Sequence, residues 1–240
     1  MQPIFSMVLL FFVGSGVGWI MEFFFRRYFA PEKKWCNPGF LTGPCLPIYG
    51  FGTCTLYLLC SAERYIAIDN VFLRKLVLYL LMTLCMTLIE YISGMLSLKI
   101  NKVRLWDYSN QWGNIEGVIC PKFSLIWGLC GAAYDFLIHP YIKNSLVWLS
   151  ENLAFSFFIG VFFGVFIIDV AHSLQVVTKL KHFADENDVI LRYEHIKAQI
   201  RRSHEQRAEK YHFFRPFSSS RPLPELLHEL RDSLEQRKKK

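Results

Sequence analysis

Apolar residues in the first three quarters of the chain occur in long runs that do not alternate with polar residues. Five of these runs approach or exceed the roughly 20 residues of helix that cross a lipid hydrocarbon core. Because barrel strands would alternate apolar and polar positions, we predict an all-α, polytopic membrane protein. The predicted transmembrane helices cover residues 4–25, 46–62, 71–98, 119–142 and 147–176.

Charged residues divide the chain into two parts. Residues 1–176 carry 22 charged side chains, whereas residues 177–240 carry 25, of which 15 are basic. A soluble globular domain is about a quarter charged throughout, so the first part does not fit one. The 22 Phe and 6 Trp residues also exclude a wholly disordered chain. We predict a five-span transmembrane domain (1–176) followed by a charged, helical cytoplasmic tail (177–240).

The tail is predicted to form one helix over about residues 179–211, interrupted or capped at 185–188, and a second short amphipathic helix over 224–240. Residues 218–222 are predicted to link them. Basic residues beside a bilayer are attracted to anionic lipid by about 1 kcal/mol each. The lipid bilayer therefore explains the tail charge at least as well as a nucleic acid would, although a solvated helical face is the favoured interpretation, and no nucleic-acid partner is expected.

The short loops predict the orientation, because Lys and Arg accumulate on the cytoplasmic side. One set of loops holds four basic residues, and the other set holds eight and leads into the basic tail. We therefore predict a cell-membrane protein with its N-terminus outside and its C-terminus in the cytoplasm. Arg26 and Arg27 follow the first span and no basic residue precedes it, so a retained span is favoured over a cleaved signal peptide.

Two turn-rich polar segments, residues 35–50 and 106–117, fall on the predicted cytoplasmic side. The first contains three prolines and three glycines, which prevent an uninterrupted helix. Irregular backbone at membrane depth is tolerated only where protein or water covers it. Since both segments lie on one face, we expect them to build one site.

These segments belong to a series of motifs that occur in order between about residues 14 and 140. The motifs are Trp19-x-x-Glu22, Asn37-x-Gly39-Phe40-Leu41-x-Gly43-Pro44-x-Leu46-Pro47-Ile48-Tyr49-Gly50, Ile89-Glu90-Tyr91 with Gly94, Trp106-Asp107-Tyr108-Ser109, Asn114-Ile115-x-Gly117 and Trp127. In them the chain resembles the CmpB-type putative ABC-transporter permease family of bacterial multi-pass membrane proteins. One departure is Pro38, where the resemblance leads us to expect a basic residue in many relatives. The resemblance implies a transport role, with a separate ATPase subunit as partner because the chain contains no GxxxxGK[ST] motif.

Glu22 and Glu90 are the leading candidate site residues, because an ionisable group inside a span costs several kcal/mol and needs a partner. Each also has a structural interpretation. Glu22 is placed to pair with Arg26, four residues later, and Glu90 could accept a purely structural hydrogen bond. Lys122 is a candidate counter-ion for either acid, although snorkelling to the interface explains it equally well.

Further candidates for substrate binding or proton linkage come from the polar segments. They are Asn37, Tyr49, Trp106, Asp107 and Asn114. Weaker candidates are two acid–histidine pairs that share a helix face, for which polar span ends are the favoured alternative. These pairs are Asp135 with His139 and Asp169 with His172.

Small residues and cysteines predict packing and no chemistry. The pairs Gly14/Gly18 and Gly160/Gly164 have the GxxxG spacing that brings helices together, either within the chain or in a homodimer. None of the seven cysteines forms a CxxC pair, so we predict no metal site, no disulfide framework and no cofactor.

Two functions remain open from the sequence. The first is a transporter permease subunit that moves an unidentified small solute. The alternative is a non-transporting scaffold, sensor or interfacial enzyme, in which Glu22, Glu90 and Asp107 would act as acids and bases. An enzyme is the less favoured of these, because the chain has no P-loop, catalytic triad or metal motif.

Overall fold

The computed structural model describes residues 2–29, 37–39, 41, 43–151, 154–187, 189–192 and 196. Within these residues the fold is all-α with almost no strand, which confirms the predicted class. The helices are α1 (Gln2–Tyr28), α2 (Pro47–Ala62), α3 (Val71–Met95), α4 (Pro121–Ala133), α5 (His139–Glu151) and α6 (Ala154–Glu186). A 3₁₀ turn (Glu63–Tyr65) follows α2, and π-helical segments continue α3 (Leu96–Ile100) and join α4 to α5 (Tyr134–Ile138). Two short strands, β1 (Val103–Arg104) and β2 (Leu191–Arg192), pair in parallel.

The helix boundaries follow from local chemistry. Pro47 and Pro121 lie in the first turns of α2 and α4, where a missing N–H costs nothing. The Asn70 side chain caps α3 by accepting a hydrogen bond from the Leu73 N–H at 3.2 Å. Helix α6 ends at Glu186, inside the acidic stretch predicted to interrupt or cap the first tail helix. The prediction that this helix continues is wrong at Leu191–Arg192, which form β2.

Among the residues that the structure describes, three helical stretches are long and apolar enough to cross a membrane: Ser6–Tyr28, Val71–Ile100 and Phe157–Glu186. Many of their large apolar side chains face outward, as expected of side chains in contact with lipid tails. Helix α2 has 16 residues and is shorter than a typical span. The fourth predicted span falls on α4, the π-helical segment and the start of α5. The total of five spans therefore stays a prediction.

Helices α1 and α2 pack closely because glycines line their interface. A Cβ atom at Gly14 would overlap the Thr53 side chain, and one at Gly18 would overlap Tyr49. The first GxxxG motif is therefore used inside the chain, where it brings the middle of α1 against the first half of α2. Around Gly160 and Gly164, by contrast, a Cβ atom would meet nothing within 4 Å. A homodimer through that second pair stays a prediction.

Helix α3 packs against both α2 and α4. Its residues Leu78, Met82 and Met86 are buried in a core with Leu56 of α2 and with Tyr134. The core holds α3 in a fixed position along its length. This core lies between the two ends of α3, so polar residues at one end are separated from those at the other.

The predicted boundary between membrane domain and tail, at residues 176/177, lies inside α6. Beyond it, apolar residues of α6 and β2 form a second core cluster with β1. The buried members of this cluster are Val103, Val176, Leu180, Phe183, Ala184, Leu191 and Ile196. The start of the tail is thus docked on the body, and the predicted linker (218–222) and second tail helix (224–240) lie outside the described residues.

Candidate functional site

A cavity of about 450 Å³ lies where the end of α1, the start of α2, the last turns of α3 and the segment after β1 meet. This volume is typical of small-molecule sites. Four of the predicted candidates line it, namely Glu22, Tyr49, Glu90 and Trp106. The cavity thus brings together acids from two helices and residues from both polar segments, although the segments are far apart in the sequence.

Glu90 is the most buried acid of the cavity, with only 4% of its surface exposed. Its Oε1 accepts a hydrogen bond from the Tyr108 hydroxyl at 3.1 Å, and its Oε2 accepts one from Trp127 Nε1, also at 3.1 Å. Burial raises the pKa of Tyr108, and the Glu90 carboxylate raises it further, so this hydroxyl stays a donor at neutral pH. In the described part of the chain, no basic side chain forms an ion pair with Glu90.

Glu22 differs from Glu90 because it has a cationic partner. Arg26 Nε lies 3.1 Å from Glu22 Oε1, and the Tyr49 hydroxyl donates to Glu22 Oε2 at 3.3 Å. The pairing with Arg26 is the one expected from the i,i+4 spacing. Lys122, the other candidate counter-ion, instead places its Nζ 5.8 Å from the centre of the Phe123 ring.

The first polar segment is held to the helices by hydrogen bonds of buried side chains. The Asn37 Oδ1 accepts from Trp19 Nε1 at 2.8 Å and from the Gly39 N–H at 2.9 Å. Further along, the Gly43 N–H donates to Asp169 Oδ2 on α6 at 2.8 Å. Asn37 therefore shapes this segment beside the cavity, and its neighbour Pro38 contributes to the lining.

The second polar segment is a tight loop stabilised by its own side chains. Asp107 Oδ1 accepts hydrogen bonds from the Ser109 N–H and hydroxyl, and Arg104 lies 3.4 Å away. Asn114 Oδ1 accepts from the N–H of Gly117, whose positive φ of 68° suits glycine. Neither Asp107 nor Asn114 lines the cavity, so their position is that of loop scaffolding.

Gly94 allows this loop to rest on α3, one turn after Glu90. A Cβ atom at Gly94 would overlap the Val118 side chain and would lie 3.1 Å from Trp106 Cζ2. The indole of Trp106 donates from Nε1 to the Val118 carbonyl at 2.8 Å. The close contact sets Trp106 and Tyr108 against the cavity.

Asp135, one of the weaker candidates, lies at the other end of α3. It is 7% exposed and accepts hydrogen bonds from Lys75 Nζ at 2.7 Å and from the Tyr79 hydroxyl at 3.1 Å. Lys75 also reaches Glu63 Oε2 at 2.8 Å. This acid is therefore neutralised by a cation of the protein itself.

Cys60 and His139 lie beside Asp135, and one ligand atom of each of the three residues falls within 4.8 Å of the others. Sulfur, carboxylate oxygen and imidazole nitrogen are all zinc ligands. The Lys75 ammonium, however, already occupies the Asp135 carboxylate. The sequence does not reveal this grouping, because Cys60 and Asp135 come from separate helices and have no paired ligand spacing.

The remaining weak pair, Asp169 and His172, lies on α6. Asp169 accepts a hydrogen bond from the backbone of the first polar segment, whereas His172 is exposed.

Tyr108 and Trp127 are the site residues that the sequence did not indicate as candidates. Both stand within the recognised motifs, but nothing local indicates that they would donate to the same carboxylate.

Comparison with known proteins agrees with the resemblance seen in the motifs. The family model ABC_trans_CmpB, described as Putative ABC-transporter type IV, matches residues 9–174. No curated protein and no solved structure matches the chain. The matched region includes Glu22, Glu90 and both polar segments, and it covers well over half of the chain. The chain therefore belongs to the family described as Putative ABC-transporter type IV.

Proposed function

We propose that this chain is a permease subunit of an ABC transporter and that it moves a small solute through the cavity lined by Glu22 and Glu90. The observation that carries the proposal is the convergence of these two acids on one cavity between apolar helices. Irregular Gly/Pro-rich backbone beside a buried acid is the arrangement found at many transporter sites. Membership of the family supports the same function.

Within this proposal the cavity residues have distinct roles. Glu90 binds the solute or a coupled proton, while Tyr49 and Trp106 form part of the binding surface. The two polar segments gate the cavity, with Asn37, Asp107 and Asn114 maintaining their shape. The contact between Asp169 and Gly43 ties the first gate to α6, so movement of α6 would open or close it.

An ATPase in a separate subunit would supply the energy. The test is to purify the tagged full-length chain from its host membrane in mild detergent and to measure vanadate-sensitive ATP hydrolysis. The proposal would be supported if ATPase activity co-purifies with the chain. The rate of ATP hydrolysis should also change in Glu90→Gln but not in Asp69→Asn. Asp69 is a suitable control because it is an exposed acid in the loop before α3. Purification without ATPase activity would overturn the ABC-transporter function.

A second candidate, a sensor that acts through the tail, is favoured by one contact. The Leu191 N–H donates to the Lys102 carbonyl at 2.9 Å, so the start of the tail is paired with the strand that leads into the Trp106 loop. A solute in the cavity would then alter the docking of the tail. Protease cleavage of the tail that is unaffected by any cavity substitution would argue against this function.

A further inference from the structure

The charges of the side chains that line the cavity do not cancel. Among the described residues, the charged side chains are those of Glu22, Glu90 and Arg26, and Arg26 is paired with Glu22. One carboxylate, that of Glu90, is left without a cation from the described residues. A buried charge of this kind is strongly unfavourable unless it is neutralised by a proton or by a bound cation.

The hydrogen bonds of Glu90 leave room for such a cation. Each carboxylate oxygen accepts one hydrogen bond from the protein, from Tyr108 or from Trp127. A carboxylate has about four lone-pair sites, so two remain for a ligand. Both protein donors also hold the carboxylate in one orientation, which reduces the entropic cost of binding.

The surrounding walls favour an organic cation over a metal ion. Five aromatic residues line the same cavity, namely Tyr49, Phe51, Trp106, Tyr108 and Trp127. The rings of Tyr49 and Trp127 meet edge to face, with their centres 5.7 Å apart. Aromatic faces attract weakly hydrated ammonium groups, whereas Ca²⁺ and Mg²⁺ require about six or more oxygen ligands.

We propose that the cavity binds a monovalent organic cation, whose ammonium group lies against Glu90 and the aromatic walls. If the chain is a permease subunit, this is the class of its solute. The identity of the solute rests on the proposed function, whereas the binding of the cation does not. The binding itself is a property of the isolated chain. The contrast with Glu22 predicts which of the two acids carries it.

The experiment is equilibrium dialysis of the purified full-length chain in detergent with radiolabelled choline and benzylammonium. Their neutral analogues, 3,3-dimethylbutan-1-ol and benzyl alcohol, serve as competitors of matched shape. We expect at least one cation to bind at least about tenfold more tightly than its neutral analogue. We expect Glu90→Gln to weaken that binding at least about tenfold, and Asp69→Asn to leave it unchanged.

Substitutions at Trp127 separate the ring from its N–H group. Trp127→Phe loses the donor to Glu90 but keeps an aromatic face. Because the face is kept, this variant should retain the preference for the cation over the neutral analogue. Trp127→Leu should lose more of that preference. Size-exclusion chromatography and circular dichroism identify any variant that fails to fold, and the comparison of Glu90→Gln with Asp69→Asn does not depend on Trp127.

Two results would overturn the proposal: neither cation binding above its neutral analogue, or Glu90→Gln binding the cation as the unmodified chain does. The ATPase measurement makes this failure distinct from failure of the proposed function. Glu90-dependent ATP hydrolysis without cation binding would reject the ligand class alone. Cation binding without any ATPase would reject the ABC-transporter function alone.

Discussion

Two buried acids of this protein, Asp135 and Glu90, are stabilised in opposite ways. Asp135 is held by the Lys75 ammonium and the Tyr79 hydroxyl, within a closed cluster near the start of α3. Glu90, near the end of α3, is held by two neutral donors and lies on a cavity. Lys75 and Glu90 are fifteen residues apart on one helix, a rise of about 22 Å.

Under the proposed function, the difference separates a structural charge, that of Asp135, from a functional one, that of Glu90. An acid that the protein neutralises itself fixes two helices relative to each other and has no charge left for a ligand. An acid on a cavity that is held only by neutral donors has charge left to attract a ligand from outside. The following experiments would break or sharpen this contrast.

The largest expected effect is a difference in chemical labelling between two loops when the reagent is applied from outside the cell. In a background without native cysteines, Asp69→Cys should react completely with a membrane-impermeant maleimide, and Asn110→Cys should react only after permeabilisation. Both positions are exposed, one in the loop before α3 and the other in the loop near the cavity. The reverse labelling would show that the predicted orientation, with the cavity on the cytoplasmic side, is wrong.

Removal of the Lys75 cation should cause the largest loss of stability. Lys75→Met leaves the Asp135 carboxylate buried without its cation, which we expect to cost about 3 kcal/mol of unfolding free energy. Unfolding in mixed detergent–SDS micelles would measure this loss. The double variant Lys75→Met/Asp135→Asn should recover most of it, and no recovery would mean that Lys75 stabilises the fold through Glu63 instead.

Neutralising each acid separately should have unequal effects. Asp135→Asn should lower the unfolding free energy by about 2 kcal/mol, since it weakens charge-assisted bonds from Lys75 and Tyr79. Glu90→Gln should change it by less than about 1 kcal/mol, because the amide can accept from Trp127 and the Tyr108 hydroxyl can turn to accept from it. The same unfolding measurement compares the two variants directly. Equal losses would contradict the distinction between a structural and a functional acid.

Crowding the contact between α3 and the second polar segment should have a smaller effect. Gly94→Ala places a Cβ atom against Val118 and should cost about 1 kcal/mol, with weaker cation binding as Trp106 is displaced. Gly160→Ala, which meets nothing within 4 Å, is the matched control and should be neutral or slightly stabilising. Val118→Ala in the Gly94→Ala background should restore binding. If it does not, the contact between these two residues is not what positions the loop.

The sequence predicted the features that depend on neighbouring residues. Continuous apolar runs are sufficient to predict membrane helices, because every backbone group in lipid must be satisfied within the segment. The interruption of α6 after Glu186 was indicated by a local cluster of acids. The i,i+4 spacing likewise predicted the Glu22–Arg26 pair, since residues four apart share a helix face.

Tertiary structure decided which acid has which partner. The sequence ranked Glu90 above Asp135 but did not show which partners they have, because the Lys75, Tyr108 and Trp127 side chains that meet them come from other helices and loops. Nor does local pattern separate Asn37 and Asp107, which shape loops, from the residues that line the cavity. Helix periodicity gives the direction of a side chain around its own axis but not the neighbour it meets. That neighbour depends on how α1, α2, α3 and α4 pack together, and in this protein the packing leaves one carboxylate on a cavity without a cation.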